Sequence, residues 1–285
     1  LIKNSNSTGL VRGTDGTGNT EIDAGGLVGK NDGEIQRSFS TATVGGEGNN
    51  IGGLVGFSED GLVNESYATG SVDVIDSGSN LGGLVGFNDD DSEIKRSYAT
   101  GSVDTEKVAG SVAGLVARND GDIERSYAAG AVGDGDGESG VVANNIGGSV
   151  TDSYWDIDTT NQSDSDGGTG LSTARMTGTN ATEGENMGAL DFTSTWTAVD
   201  SYPLLRWSIS DLNLTLADDS VTAGESTDAT VTLTLADSTA STASTTSDYS
   251  SNDTSVATVD AGTVTVPAGE NRSGALTWPP TAPGR

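Results

Sequence analysis

The sequence predicts an all-β protein in three parts: a β-solenoid (β-helix) of about five to six coils over residues 1–155, a solenoid cap with a short helix over 156–208, and a β-sandwich over 209–285. Three observations predict this. A two-part signature recurs about every thirty residues, glycine is abundant where apolar residues are scarce, and near residue 210 the texture changes to alternating Thr, Val and Leu.

The signature opens on "GGLVG", at Gly25 to Gly29, Gly52 to Gly56 and Gly82 to Gly86, with weaker copies from Ala113 to Ala117 and Ser139 to Ala143. A phosphate-binding loop reads GxxxxGK[ST]. Its first glycine would fall on Ala24 and its hydroxyl residue on Asn31, so the loop fails at two of its fixed positions. The residue after the stretch runs Lys30, Phe57, Phe87, Arg118, Asn144, and no lysine is kept in place. The second half of the signature is an apolar residue, two polar ones, Ser, an aromatic, small residues and Val. Its anchor serines are Ser38, Ser66, Ser97, Ser126 and Ser153, at spacings of 28, 31, 29 and 27. Residues 2–11 supply a further second half anchored at Ser5, so the chain is expected to begin inside a repeat. This period, with short apolar pieces and no helical periodicity, fits one solenoid coil of two or three short strands, stacked on the next at about 4.8 Å.

With 33% hydrophobic and 5% aromatic residues against 42 glycines, the chain predicts many turns and thin layers rather than a thick core. Forty-two acidic and 13 basic residues give a net charge of -29. Nucleic acid and anionic membranes, which select basic faces, are excluded as partners. Molar salt shortens the Debye length to about 3 Å and screens such self-repulsion. An Asp-rich, Lys-poor chain therefore predicts a halophile's protein, with a calcium-loaded acidic surface protein as the alternative. Without Cys there is no disulfide or thiolate site, and without His the commonest general base and metal ligand are missing. No signal peptide and no apolar run of transmembrane length is found, so direct membrane insertion is not expected of this segment.

The stretch "NIGGLVGFSEDGLVNESYATGSV" (50–72) resembles the GLUG-motif repeats of haloarchaeal surface proteins and bacterial adhesins, and the resemblance spans roughly residues 1–207. It implies an extracellular or cell-surface role, adhesive or structural, with other surface-protein subunits or cell-surface glycans as partners. It implies no reaction, no catalytic residue and no cofactor.

Stacking in register turns each repeat position into a column. The column before the anchor serine runs Arg37, Glu65, Arg96, Arg125, Asp152, whose largely alternating charges predict register control rather than a binding row. An aromatic column runs Phe39, Tyr67, Tyr98, Tyr127, Tyr154. It either packs as a structural ladder, the commoner use, or lies outside as a platform for sugar rings. Which of Leu54 and Val55 faces inward is not decided by the pattern.

After Tyr154 the small residues give way to Trp155, Asp156 and Ile157, as expected where a solenoid end must cover its interior. "GLSTARM" (170–176) supplies the short helix. Beyond it, "LNLTL" (212–216), "ATVTLTL" (229–235), "SVATV" (255–259) and "GTVTV" (262–266) predict the sandwich strands. Residues 249–269 resemble bacterial Ig-like surface domains. About 75 residues is short for a sandwich of roughly 100, which suggests completion by a further segment or by a strand donated from another subunit, a route to self-assembly.

Oxygen-rich loops offer calcium ligands at Asp134, Asp136, Glu138, Asp164 and Asp166, although none has EF-hand spacing. "NDDDSE" (88–93) is a third such loop. Sequons place candidate N-glycans at Asn6, Asn64, Asn161, Asn180, Asn213, Asn252 and Asn271. A polysaccharide-binding or polysaccharide-cleaving β-helix, a spike or a lyase, is the rival reading; it requires carboxylates converging on one coil face.

Overall fold

The computed structural model describes residues 1–13, 22–104, 110–133, 138–216 and 226–237, and the strand residues 240–242, 250–251, 258–260, 263–265 and 276–277. Side chains are described for all of these except 74–78, 212–216, 226–233 and the last five strands. The described residues form two compact units, Leu1–Arg175 with Gly184–Leu190, and Met176–Glu183 with Asp191–Arg285. The boundary between them falls inside the stretch expected to cap the solenoid.

The first unit is a parallel β-solenoid of about five turns whose strands stack into four sheets. One coil is enough to show the path. Val55–Ser58 lies in one sheet, Leu62–Asn64 in the next, Tyr67–Ala68 in a third, and Val72–Gly82 makes a long arch in the fourth before the following coil opens at Val85–Asn88. The repeat length predicted this register: Val55 pairs with Val85, Val63 with Ile94, Tyr67 with Tyr98 and Val72 with Val103.

Two apolar cores result. The lumen holds Leu54, Val55, Val63 and Ala68 and their counterparts along the rod, including Leu84, Val85, Ile94 and Ala99. The arch has its own core, in which Val44, Val72, Val103 and Val132 meet Ala24, Ile51, Leu81 and Val112. Leu54 and Val55 both face inward, each fully buried. Strand alternation forbids this for neighbours, but Leu54 sits in a bend, where its N–H and that of Val55 both donate to the Leu84 carbonyl at 2.9 and 3.1 Å.

The glycines before Leu permit that close approach. A Cβ on Gly83 would lie 2.1 Å from the Gly114 carbonyl oxygen of the next coil and 3.1 Å from the Ala99 Cβ. Because the obstacle is backbone, the coils would have to part. Gly83→Ala is expected to cost about 3 kcal/mol, the upper end for overpacking, read as a lowered denaturation midpoint at unchanged m-value.

The anchor serine has a role that spacing alone did not reveal. Each hydroxyl donates to the carbonyl two residues back and accepts the N–H of the anchor serine in the preceding coil. Ser97 Oγ thus donates to Lys95 O at 2.8 Å and accepts from Ser66 N at 3.1 Å, and the pattern runs from Ser5 to Ser153. The residue before each serine is left-handed: Asn4, Arg37, Glu65, Arg96, Arg125 and Asp152 all have φ between 47° and 50°. Such a φ is costly for residues other than glycine, and the serine bonds on both flanks hold the corner there. The expected charge pairing is present in part, with Arg37 Nε 2.9 Å and Arg96 Nε 3.7 Å from Glu65 carboxylate oxygens and Arg125 Nε 3.8 Å from Asp152.

A different construction follows at the C-terminal end of the coils. Trp155 occupies the column held by Ala68, Ala99 and Ala128 in earlier coils. Its indole N–H donates to Gln162 O at 2.9 Å, and Gln162 Nε2 reaches back to Gly133 O. Asp156 caps the one-turn helix Ile157–Thr160 by accepting from Asp158 N and Thr159 N. Ser165 Oγ takes the N–H groups of Val141 and Val142, and Thr169–Leu171 adds a strand beside Tyr154–Asp156. The short helix expected within 170–176 is Thr173–Met176.

In the second unit Trp196–Thr197 pairs with Leu204–Leu205, and Ile209–Leu216 pairs with Ser226–Leu235, both antiparallel. The shorter strands Ala240–Thr242, Thr258–Asp260 and Thr263–Thr265 continue that second sheet. Asp191 accepts the Ser194 hydroxyl and the N–H groups of Ser194 and Thr193, and these bonds hold its carboxyl below the usual range.

Candidate functional site

The aromatic column expected from the repeat is packed. Phe39, Tyr67, Tyr98 and Tyr127 are at most 4% exposed, and their rings stack at 5.0, 4.8 and 5.0 Å between centroids, within 5° of parallel. Burial also pushes the Tyr154 hydroxyl upward from its ordinary pKa, ahead of the nearby Asp152 charge. No ring face in this stack is turned to solvent for a sugar.

A second aromatic column occupies the position after each GGLVG stretch, where the sequence shows only that no lysine is kept. Lys30, Phe57, Phe87 and Arg118 are register partners on neighbouring strands, and Asn144 follows them. Phe57 and Phe87 stack at 5.0 Å with 16° between planes. Lys30 Nζ lies 5.3 Å from the Phe57 centroid and the Arg118 guanidinium 4.3 Å from that of Phe87, so a cation faces each end of the pair. Each cation is tied in turn to a carboxylate: Lys30 to Glu59 at 2.6 Å, Arg118 to Asp120 at 2.7 Å. The Glu59 hydrogen bond raises the Lys30 pKa, and the Asp120 bond, with the charges of Asp89 and Asp90, raises that of Arg118. Reading the variable position as a ladder, as was done for the tyrosines, would have revealed this column.

Asp134 and Asp136 lie outside the described residues. Glu138 is in a strand beside Val112, and the backbone of the exposed Asp164 and Asp166 pairs with the last coil: Asp164 O accepts from Gly140 N and Asp166 N donates to Val142 O. Among the described residues the carboxylates that converge are Asp89, Asp90 and Asp120, with ligand oxygens within 4.8 Å of one another. Asp90 and Asp120 also border an open depression of about 430 Å³, lined with them by Asp91, Glu93 and Asp122. Sequence proximity singled out the 88–93 loop but not Asp120, which arrives from the next coil. Arg118 already binds Asp120 through both guanidinium contacts, at 2.7 and 3.3 Å, so the cluster carries its own counter-cation.

Of the sequons, Asn6, Asn161 and Asn180 are exposed. Asn64 is 7% exposed and accepts from Arg96 Nη2 at 2.6 Å, so the folded coil does not present it to a glycan. Asn213 lies in the strand Ile209–Leu216, and Asn252 and Asn271 lie outside the described residues. No helix among the described residues is long and apolar enough to cross a membrane.

No curated protein and no solved structure matches the chain. A family profile described as the GLUG motif matches residues 77–104, the end of one arch and the coil that follows it. Together with the stacked copies on either side, this match supports the chain as a GLUG-repeat protein.

Proposed function

We propose that the chain is a non-enzymatic, extracellular structural rod: a GLUG-repeat solenoid carrying an Ig-like module, serving in adhesion, a surface layer or a filament of a halophilic, archaeal-type cell surface. The observation that carries this reading is that the functional-looking columns are partnered within the chain. The tyrosine faces stack on one another, the Phe57–Phe87 pair has a cation at each end, and Asp120 is held by Arg118. A rod whose ladders are satisfied internally is built to persist. Its partners on this reading are other surface-protein subunits or cell-surface glycans, with glycans of its own at Asn6, Asn161 or Asn180 and self-assembly by a donated strand in the C-terminal module.

The rival, a polysaccharide-cleaving or polysaccharide-binding β-helix, draws on the open acidic depression beside Asp89, Asp90 and Asp120. The two are separated by incubating the chain with acidic and neutral polysaccharides and measuring unsaturated products, new reducing ends and retention. The structural reading expects no turnover. Cleavage or micromolar retention abolished by Asp120→Asn would install the rival.

The halophilic part makes its own prediction. With a net charge of -29, the midpoint of thermal unfolding should rise by roughly 10 °C or more from 0.1 M to molar KCl, as the Debye length falls from about 10 to 3 Å. A flat response would remove the halophilic assignment and leave the rod.

A further inference from the structure

A third column, largely buried, is an amide ladder with one short rung. Asn31, Ser58, Asn88, Asn119 and Asn145 are register partners on adjacent strands. On one side of Asn88 the ladder is complete: Asn88 Nδ2 donates to Asn119 Oδ1 at 2.9 Å, and Asn119 Nδ2 donates to Asn145 Oδ1 at 2.9 Å. On the other side the rung is Ser58, whose Oγ accepts from Asn31 Nδ2 at 3.3 Å. Asn88 is fully buried, and its Oδ1 has no hydrogen-bond partner.

Among the described residues no donor reaches that oxygen. Ser92 Oγ, the nearest other hydroxyl in the loop, already donates to Ser58 O at 3.0 Å and accepts from Gly61 N at 3.1 Å. Nor does rotating the Asn88 amide solve the problem. Its Nδ2 also donates to Ser92 O, and Asn119 Nδ2 also donates to Gly121 O at 2.8 Å, so either rotation sets oxygen against carbonyl oxygen. A buried acceptor without a donor is costly, and native interiors satisfy such groups with protein or ordered water.

We propose that the Ser58 rung is completed by one structural water, bound between Ser58 Oγ and Asn88 Oδ1. The room is of the right order: serine is shorter than asparagine by about a carbonyl group, and a water's share of liquid volume is about 30 Å³. The chemistry matches as well. The water donates to Asn88 Oδ1 and accepts the Ser58 hydroxyl hydrogen, which leaves the Asn31 contact intact. The Ser58 and Asn88 rungs are thus joined through solvent where the later ones are joined amide to amide.

The test is a crystal structure of the whole chain at about 1.5 Å, alone and as Ser58→Asn. In the parent, one well-ordered water is expected at hydrogen-bond distance, about 2.7 to 3.1 Å, from both Ser58 Oγ and Asn88 Oδ1. In Ser58→Asn the introduced carboxamide should donate to Asn88 Oδ1, the water peak should disappear, and the melting midpoint should stay level or rise by about 1–3 °C. No peak in the parent, a direct Ser58–Asn88 hydrogen bond, or a peak ringed by five or more oxygens at about 2.3 to 2.8 Å, the signature of a cation, would overturn the proposal. A peak retained in the variant would overturn it too. If the variant does not fold, the parent crystal alone decides.

Discussion

Trp155→Ala is expected to lower the stability of the solenoid by about 3–5 kcal/mol, the range for deleting a large buried aromatic. Trp155 is 7% exposed and fills, at the last coil, the column that alanine fills in the coils before it. The contact with Gly140 shows how closely it fits: a Cβ there would lie 2.2 Å from the indole ring. Truncation opens the lumen beside Val141 and Val142 and removes the hydrogen bond that anchors Gln162. The melting midpoint should fall by on the order of 10 °C, and the amides of Val141 and Val142, held by Ser165, should lose hydrogen-exchange protection before those of Val55 and Val85. Ile146→Ala is the control, since that side chain is 51% exposed and the change should stay within about 0.5 kcal/mol. Equal effects from the two would show that Trp155 does not close the rod.

Asn119→Ala should be nearly as damaging, at about 2–4 kcal/mol, although it removes no large apolar side chain. Its carboxamide is fully buried and makes three bonds, accepting from Asn88 and donating to Asn145 and Gly121. Each buried partner left unsatisfied costs about 1–3 kcal/mol, and the part-exposed Asn145 recovers some of that from water. Asn119→Leu, of similar volume, should not restore stability, because the missing quantity is hydrogen bonding. Urea unfolding of the two variants checks this; a leucine variant as stable as the parent would mean that volume, not the ladder, matters at this position.

These effects separate what was legible in the chain from what was not. The coil was legible because its period is carried by residue types with narrow uses: glycine where backbones meet, a serine anchor, an aromatic and a valine at fixed offsets. Once the copies were aligned, the pairing of Tyr67 with Tyr98 or Val72 with Val103 followed from strand stacking alone. The charge column was legible for the same reason. The Phe57–Phe87 pair was not, because its ends are Lys30 and Arg118 and a column of mixed chemistry does not look like a repeat.

The carboxylate cluster illustrates the other kind of failure. The 88–93 loop was a candidate from its composition, but Asp120 lies thirty positions away in a chain with 42 acidic residues, and nothing local marks it as their neighbour. Asp164 and Asp166 were candidates for their carboxylates, and nothing in their sequence shows that the backbone of that loop pairs with the last coil. Composition counts donors and acceptors without saying which are already engaged.

By itself, then, the sequence determined the period, the register and the parallel stacking, because in-register repeats leave one way to superpose their apolar and hydrogen-bonding columns. Only the tertiary structure decided which way side chains face where strand alternation breaks. Leu54 and Val55 both enter the lumen because a bend intervenes, the residue before each serine turns left-handed because serine bonds hold it there, and Trp155 enters the lumen core because it follows Ala68, Ala99 and Ala128 in their column. Those outcomes depend on contacts between residues about thirty positions apart, which the pattern implies but whose geometry it does not contain.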